Sequence, residues 1–331
     1  MNTYWWQLPA KSLNLHIQQQ ATAHQQQLTK PLGALGQLET LAIRLAAMQG
    51  RLFPHIERPF ISIFAADHGI SAEGVSAYPS EVTAQMVANF AHGGAAICVL
   101  SKQIGAQFEV VDVGVASDTQ PLSSVIQDKT IFGTANFLYQ TALNEPQLHH
   151  ALKAGKNAIS RALANQADCF IGGEMGIGNT TSASALACVW LKQTAGQMTG
   201  AGTGLDTQGI LHKTHIIERA LKVHLADSLS NLDILKTFGG CEIVALTGAY
   251  IAAAQAGLPI IVDGFISSVA ALAACKLNPS VQDWLLFGHL SAEKAHKMVL
   301  SALNAQPLLQ LDLRLGEGSG AASAYYLLPL A

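Results

Sequence analysis

The sequence predicts an α/β fold, a parallel β-sheet flanked by helices with a small helical domain beside it, and three observations carry that prediction. Short β-branched runs alternate with Ala-rich helical stretches from Pro59 onward. The runs are predominantly apolar, as in a strand buried on both faces. The polar residues gather just after these runs, at the strand ends where parallel sheets bind ligands.

Taken in order, residues 1–55 read as a helical segment rich in Gln, His and Ala. Leu35, Leu38, Leu41, Leu45 and Met48 stand at helical spacing after the breaker Lys30-Pro31-Leu32-Gly33. Residues 56–305 hold the sheet, with strands expected at Phe60–Ala65, Phe108–Val113, Cys169–Ile171, Pro259–Val262 and Trp284–Phe287. These repeated βαβ units give a Rossmann-like three-layer arrangement. The apolar run from Val244 to Val262 is cut by Gly257-Leu258-Pro259 into a helix and a strand, each short of membrane-spanning length, so no membrane association is expected. Residues 306–331 form a C-terminal segment.

Half of the 331 residues are hydrophobic and only 12% are charged. With a mean hydropathy of +0.27, such a chain buries a large core and leaves apolar surface over, most simply hidden in a homodimer. A net charge of −3 and the lack of any Lys/Arg run speak against nucleic acid as a partner. Cys98, Cys169, Cys188, Cys241 and Cys275 are scattered singly, which fits reduced packing thiols in the cytoplasm. The first residues, Met1-Asn2-Thr3-Tyr4-Trp5-Trp6, carry no export pattern.

The most informative stretch is Leu313-Arg314-Leu315-Gly316-Glu317-Gly318-Ser319-Gly320-Ala321-Ala322. Glycines on either side let another molecule approach the backbone, while the leucines exclude water and raise the pKa of Glu317 toward the range of a general base. A second segment, Gly172-Gly173-Glu174-Met175-Gly176-Ile177-Gly178-Asn179-Thr180-Thr181, reads as a glycine loop between a strand and a helix, an arrangement that holds phosphate. Its spacing matches neither G-x-G-x-x-G nor a P-loop, which counts against a nicotinamide-dependent oxidoreductase.

Gly200-Ala201-Gly202-Thr203-Gly204, followed by Lys213, adds a candidate phosphate clamp. Ser291 reads as a helix N-cap whose hydroxyl can also reach phosphate. The stretch Gly74–Met86 enters a helix, and its Tyr78, Pro79 and Met86 suit the wall of a flat apolar ligand site. Asp67-His68-Gly69, His92 and Asp112 lack the spacing of metal ligands and are expected to cap and orient; no metal or cofactor is expected.

Together with Lys30–Glu39 and Asp263-Gly264-Phe265, these segments closely resemble, in order along essentially the whole chain, the nicotinate-nucleotide–dimethylbenzimidazole phosphoribosyltransferases of cobalamin assembly, the CobT family. The resemblance implies transfer of phosphoribose from nicotinate mononucleotide to 5,6-dimethylbenzimidazole by a homodimer, each subunit pairing a parallel α/β domain with a small helical domain built from both chain ends. By that likeness Glu317 is the general base and Glu174 a second catalytic or orienting carboxylate. The implied substrate contacts are Tyr78, Pro79, Ser80, Met86, Met175, Gly176, Asn179, Thr180, Gly202, Lys213, Asp263, Ser291 and Leu315. Ala34 stands where many relatives carry Ser, and relatives are expected to continue beyond Ala331 through a further helix.

Overall fold

The computed structural model describes residues 3–225 and 229–331. Six parallel strands form one sheet: β1 (Pro59–Ala66), β2 (Gln107–Gly114), β3 (Val125–Gln127), β4 (Cys169–Met175), β5 (Ile260–Val262) and β6 (Leu285–Phe287), in the order β3-β2-β1-β4-β5-β6. β1 is buried at every position, as its almost wholly apolar run requires, and the one polar side chain, Ser62, donates its hydroxyl to Glu109 at 2.8 Å. It pairs with β2 on one side and β4 on the other, with Ala65 opposite both Asp112 and Met175. The carboxyl ends of the three central strands are therefore level. Strand order reverses between β1 and β4, and an open parallel sheet leaves its ligand crevice at that point.

Helices cover both faces. Cys241–Ala256 and Phe265–Leu277 are apolar almost all round and almost wholly buried, the pattern of a core helix rather than an amphipathic one. Ahead of the sheet, helices Leu15–Gln27 and Gln37–Gln49 follow a short 3₁₀ turn at Trp5–Gln7. Leu41, Leu45 and Met48 are buried as their spacing predicts, whereas Leu35 precedes the second helix and stays exposed. The Trp284 indole N–H donates to the Lys11 carbonyl at 2.8 Å, and the Lys11 N–H to the Ala254 carbonyl at 3.0 Å, stitching the N-terminus to the sheet layer.

Two expectations change. β3 has only three residues and carried too little apolar pattern to stand out. β4 runs four residues past Ile171, so Gly172 and Gly173 are strand rather than loop. A Cβ on Gly172 would run into the Leu246 side chain, and one on Gly173 would lie 2.6 Å from the Glu317 backbone. These two glycines make room for packing. Residues 81–103 have the length and apolar composition to cross a membrane, yet they form two helices, Glu81–Ala91 and Ala96–Gln103, broken at Gly93 by a left-handed backbone (φ 76°).

Candidate active site

A cavity of about 380 Å³ opens beyond the carboxyl ends of β4, β5 and β6. Its wall comes from the segment after β4 (Glu174–Ile177, Asn179, Thr180), the second glycine loop (Gly202–Gly204), the turns after β5 and β6 (Gly264–Ile266, His289, Ser291, Glu293), Tyr78, and Arg314–Gly316. Of the residues expected from sequence, Tyr78, Glu174, Met175, Gly176, Asn179, Thr180, Gly202, Ser291 and Leu315 line it. Glu317, Lys213 and Asp263 stand directly behind it, while Pro79, Ser80 and Met86 lie outside its wall.

Glu317 occupies a costly backbone conformation. It sits at φ 61° between Gly316 (φ 85°) and Gly318 (φ 78°), so three successive residues are left-handed and the middle one is not glycine. The Asp263 carboxylate holds this turn by accepting the N–H groups of Gly318 (3.1 Å) and Ala321 (2.9 Å). Asp263 thus fixes the loop that carries Glu317. Gly173 lets the turn lie against β4, and at Gly316 a Cβ would stand 2.5 Å from a Glu174 oxygen.

The two glutamates meet through this packing. The Glu317 backbone N–H faces the Glu174 carboxylate, which also accepts the Asn179 side-chain amide. Burial, and then the neighbouring Asp263, Glu242 and Glu317 carboxylates, hold Glu174 well above the usual carboxylate range. Glu317 is pushed up to about 7 by burial, against the Ile97 N–H at the start of helix Ala96–Gln103, which favours the charged form. Its Oε2 is buried with no hydrogen-bond partner among the described residues. The result is a carboxylate that takes up and gives back a proton near neutrality.

Lys213 is fully buried, and its ammonium donates to the Thr180 hydroxyl at 2.7 Å. A Cβ on Gly202 would lie 3.2 Å from Nζ. No carboxylate pairs with it within salt-bridge distance among the described residues; burial brings it down to about 8, against the distant pull of Glu293. A buried cation with donors to spare behind two glycine segments suits a bound anion.

Ser291 is not a helix cap. The helix after β6 begins at His296, and His296 Nδ1 engages both the Ser291 backbone N–H (2.9 Å) and its hydroxyl (2.8 Å). Burial, then the nearby His289, brings His296 down to about 3, so it is a neutral acceptor there. Sequence reasoning passed over His289, Glu293 and Arg314, all in the cavity wall. Their signal was available, since His289 follows β6 at the carboxyl end of a strand and Arg314 stands three residues from Glu317. Asp67, His68 and Asp112 make orienting contacts: Asp67 accepts the Ala116 N–H (2.8 Å), His68 pairs with Glu242 (2.6 Å), and Asp112 accepts the Gly114 and Val115 N–H groups.

The family model for a phosphoribosyltransferase matches residues 10–331. The nicotinate-nucleotide–dimethylbenzimidazole phosphoribosyltransferase of Pseudomonas fluorescens strain SBW25 is 54% identical over 331 residues, 100% of this chain and 94% of that one. The chain belongs to this family. The enzyme of the same name from Xanthomonas euvesicatoria pv. vesicatoria is 56% identical over 308 residues, 93% of this chain and 88% of that one. Among solved structures, CobT from Thermus thermophilus superposes with a TM-score of 0.92 at 43% identity, covering 95% of this chain and 94% of that one.

Proposed function

We propose that this chain transfers phosphoribose from nicotinate mononucleotide to 5,6-dimethylbenzimidazole, releasing nicotinate and forming α-ribazole 5′-phosphate for the lower ligand of cobalamin, with Glu317 as the general base. Family membership supports the reaction. The observation that supports the base is the unpartnered Glu317 oxygen in a dry setting that raises its pKa to about 7. Glu317 takes the imidazole N–H proton while the other ring nitrogen attacks C1′. Nicotinate leaves through a cationic pyridinium nitrogen, so departure neutralises it and makes it a good leaving group.

Attack opposite the leaving group requires the two rings on opposite faces of the ribose. Glu317 faces the Ile97 N–H at the start of helix Ala96–Gln103, and the acceptor is assigned, on the family likeness, to the side of Tyr78, Pro79, Ser80 and Met86. The phosphate belongs with Lys213, Thr180, Gly176, Gly202 and Ser291, and Glu174, held by Asn179, orients the ribose. Incubation with nicotinate mononucleotide and a panel of bases, following nicotinate release, tests the reading; no release with any base overturns it.

We also infer a cytoplasmic homodimer. Val99, exposed by 61%, and the apolar helix pair at 81–103 offer surface for a second copy. Light scattering at micromolar concentration should give the dimer mass.

A further inference from the structure

We propose that Thr83 is a positioning residue that ties the helix on the acceptor side to the glycine segment on the nucleotide side, with Asp67 as its anchor. The inference rests on the functional reading above and adds to it. Thr83 lies in the first turn of helix Glu81–Ala91 and is fully buried. Its hydroxyl oxygen accepts the Ile177 N–H at 3.1 Å, and Ile177 is part of the cavity wall between Gly176 and Gly178. An oxygen that accepts in this way still carries a proton to give. The Asp67 Oδ1 is buried with no hydrogen-bond partner among the described residues; burial holds this carboxyl above the usual range, against the Ala116 N–H and then the nearby Thr83 hydroxyl, which is the donor closest to hand for it.

Asp67 is itself held at its backbone and at one carboxylate oxygen. Its N–H donates to the Gly114 carbonyl, its carbonyl accepts from Thr134, and one carboxylate oxygen accepts the Ala116 N–H at 2.8 Å. The observed bond from the Ile177 N–H to Thr83, extended by a turn of the Thr83 hydroxyl toward the unpartnered Asp67 oxygen, joins the end of β1 across the strand-order reversal to the loop after β4. The segment just before Thr83 is tied to the other glycine loop as well, since the Ala77 N–H donates to the Thr203 hydroxyl at 3.1 Å. Thr83 thereby sets where the Gly176–Gly178 backbone stands relative to the helix carrying Met86, so the distance between the two substrates depends on one hydroxyl.

Thr83→Val keeps the shape and removes the hydroxyl, while Thr83→Ser keeps the hydroxyl. The expected result is a KM for nicotinate mononucleotide raised roughly tenfold in the Val variant, the effect of leaving one buried amide without its acceptor, with KM for the base changed far less and the Ser variant within about twofold of wild type. Asp67→Asn should reproduce the shift, and its effect should not add to that of Thr83→Val. Amide exchange read on a peptide covering residues 176–178 should rise in Thr83→Val without rising in helix Cys241–Ala256; it serves even where activity is lost. Equal behaviour of the Val and Ser variants, additive effects with Asp67→Asn, or unchanged exchange at 176–178 overturns the proposal. Wild-type protein that transfers no phosphoribose is a failure of the functional reading instead, and the exchange experiment still decides the role of Thr83.

Discussion

Asp112 and Glu317 are both buried carboxylates at the same edge of the sheet, and they are put to opposite uses. Asp112 accepts the N–H groups of Gly114 and Val115, takes the Thr119 hydroxyl, and pairs with Lys129 Nζ at 2.8 Å. Every lone pair direction is occupied. Glu317 has the Ile97 N–H on one side and an unpartnered oxygen on the other. The first arrangement stabilises charge and holds a turn; the second leaves charge unstabilised, and so leaves basicity for use. Burial alone does not make a catalytic carboxylate. The number of donors aimed at it decides.

The largest effect that sharpens this contrast is on stability. Asp112→Ala leaves the Gly114 and Val115 N–H groups, the Thr119 hydroxyl and the half-buried Lys129 without their shared carboxylate and should lower unfolding free energy by about 3–5 kcal/mol, read by denaturant titration, while the turnover of the folded fraction stays near wild type. Glu317→Gln should do the reverse, lowering kcat by roughly 10²-fold or more with nicotinate mononucleotide binding largely kept. A smaller effect falls on the phosphate side. Lys213→Ala should cost about 1.5–3 kcal/mol toward the mononucleotide and scarcely affect nicotinate riboside, as the ratio of kcat/KM for the two substrates would report. Equal losses would make Lys213 structural.

The smallest effect concerns pH. Glu317 holds its proton more tightly folded, at about 7, than unfolded, at 4.5. Its contribution to stability is complete below the unfolded value and is lost as pH rises through about 7. Glu317→Gln lacks that titration, so its stability relative to wild type should grow by roughly 2 kcal/mol between pH 5 and pH 8 in chemical denaturation.

The long elements were legible because burial on both faces leaves an unmistakable apolar run, as in β1, and because Gly257-Leu258-Pro259 punctuates helix and strand. β3 was not, since three residues at a sheet edge carry little pattern. Glu174, Gly176, Thr180 and Gly202 could be found as polar or glycine residues after strands. Gly172 and Gly173 looked the same in sequence, yet their reason is contact across the fold, with Leu246 and with the Glu317 backbone 144 positions beyond Gly173. Ser291 read as a cap because Ser-Ala-Glu has the composition of one; the local pattern could not show that His296 takes both its N–H and its hydroxyl. Thr83, an ordinary helix residue by composition, acquires its role only from the loop that folds onto it.

The central claim is that a dry, donor-poor turn makes Glu317 basic. A carbon-13 NMR titration of side-chain carboxyls, comparing wild type with Glu317→Gln to assign the resonance, measures this directly. The account predicts one carboxyl that titrates at about 7 and disappears in the variant. A Glu317 resonance titrating in the ordinary range near ~4.3 would contradict it.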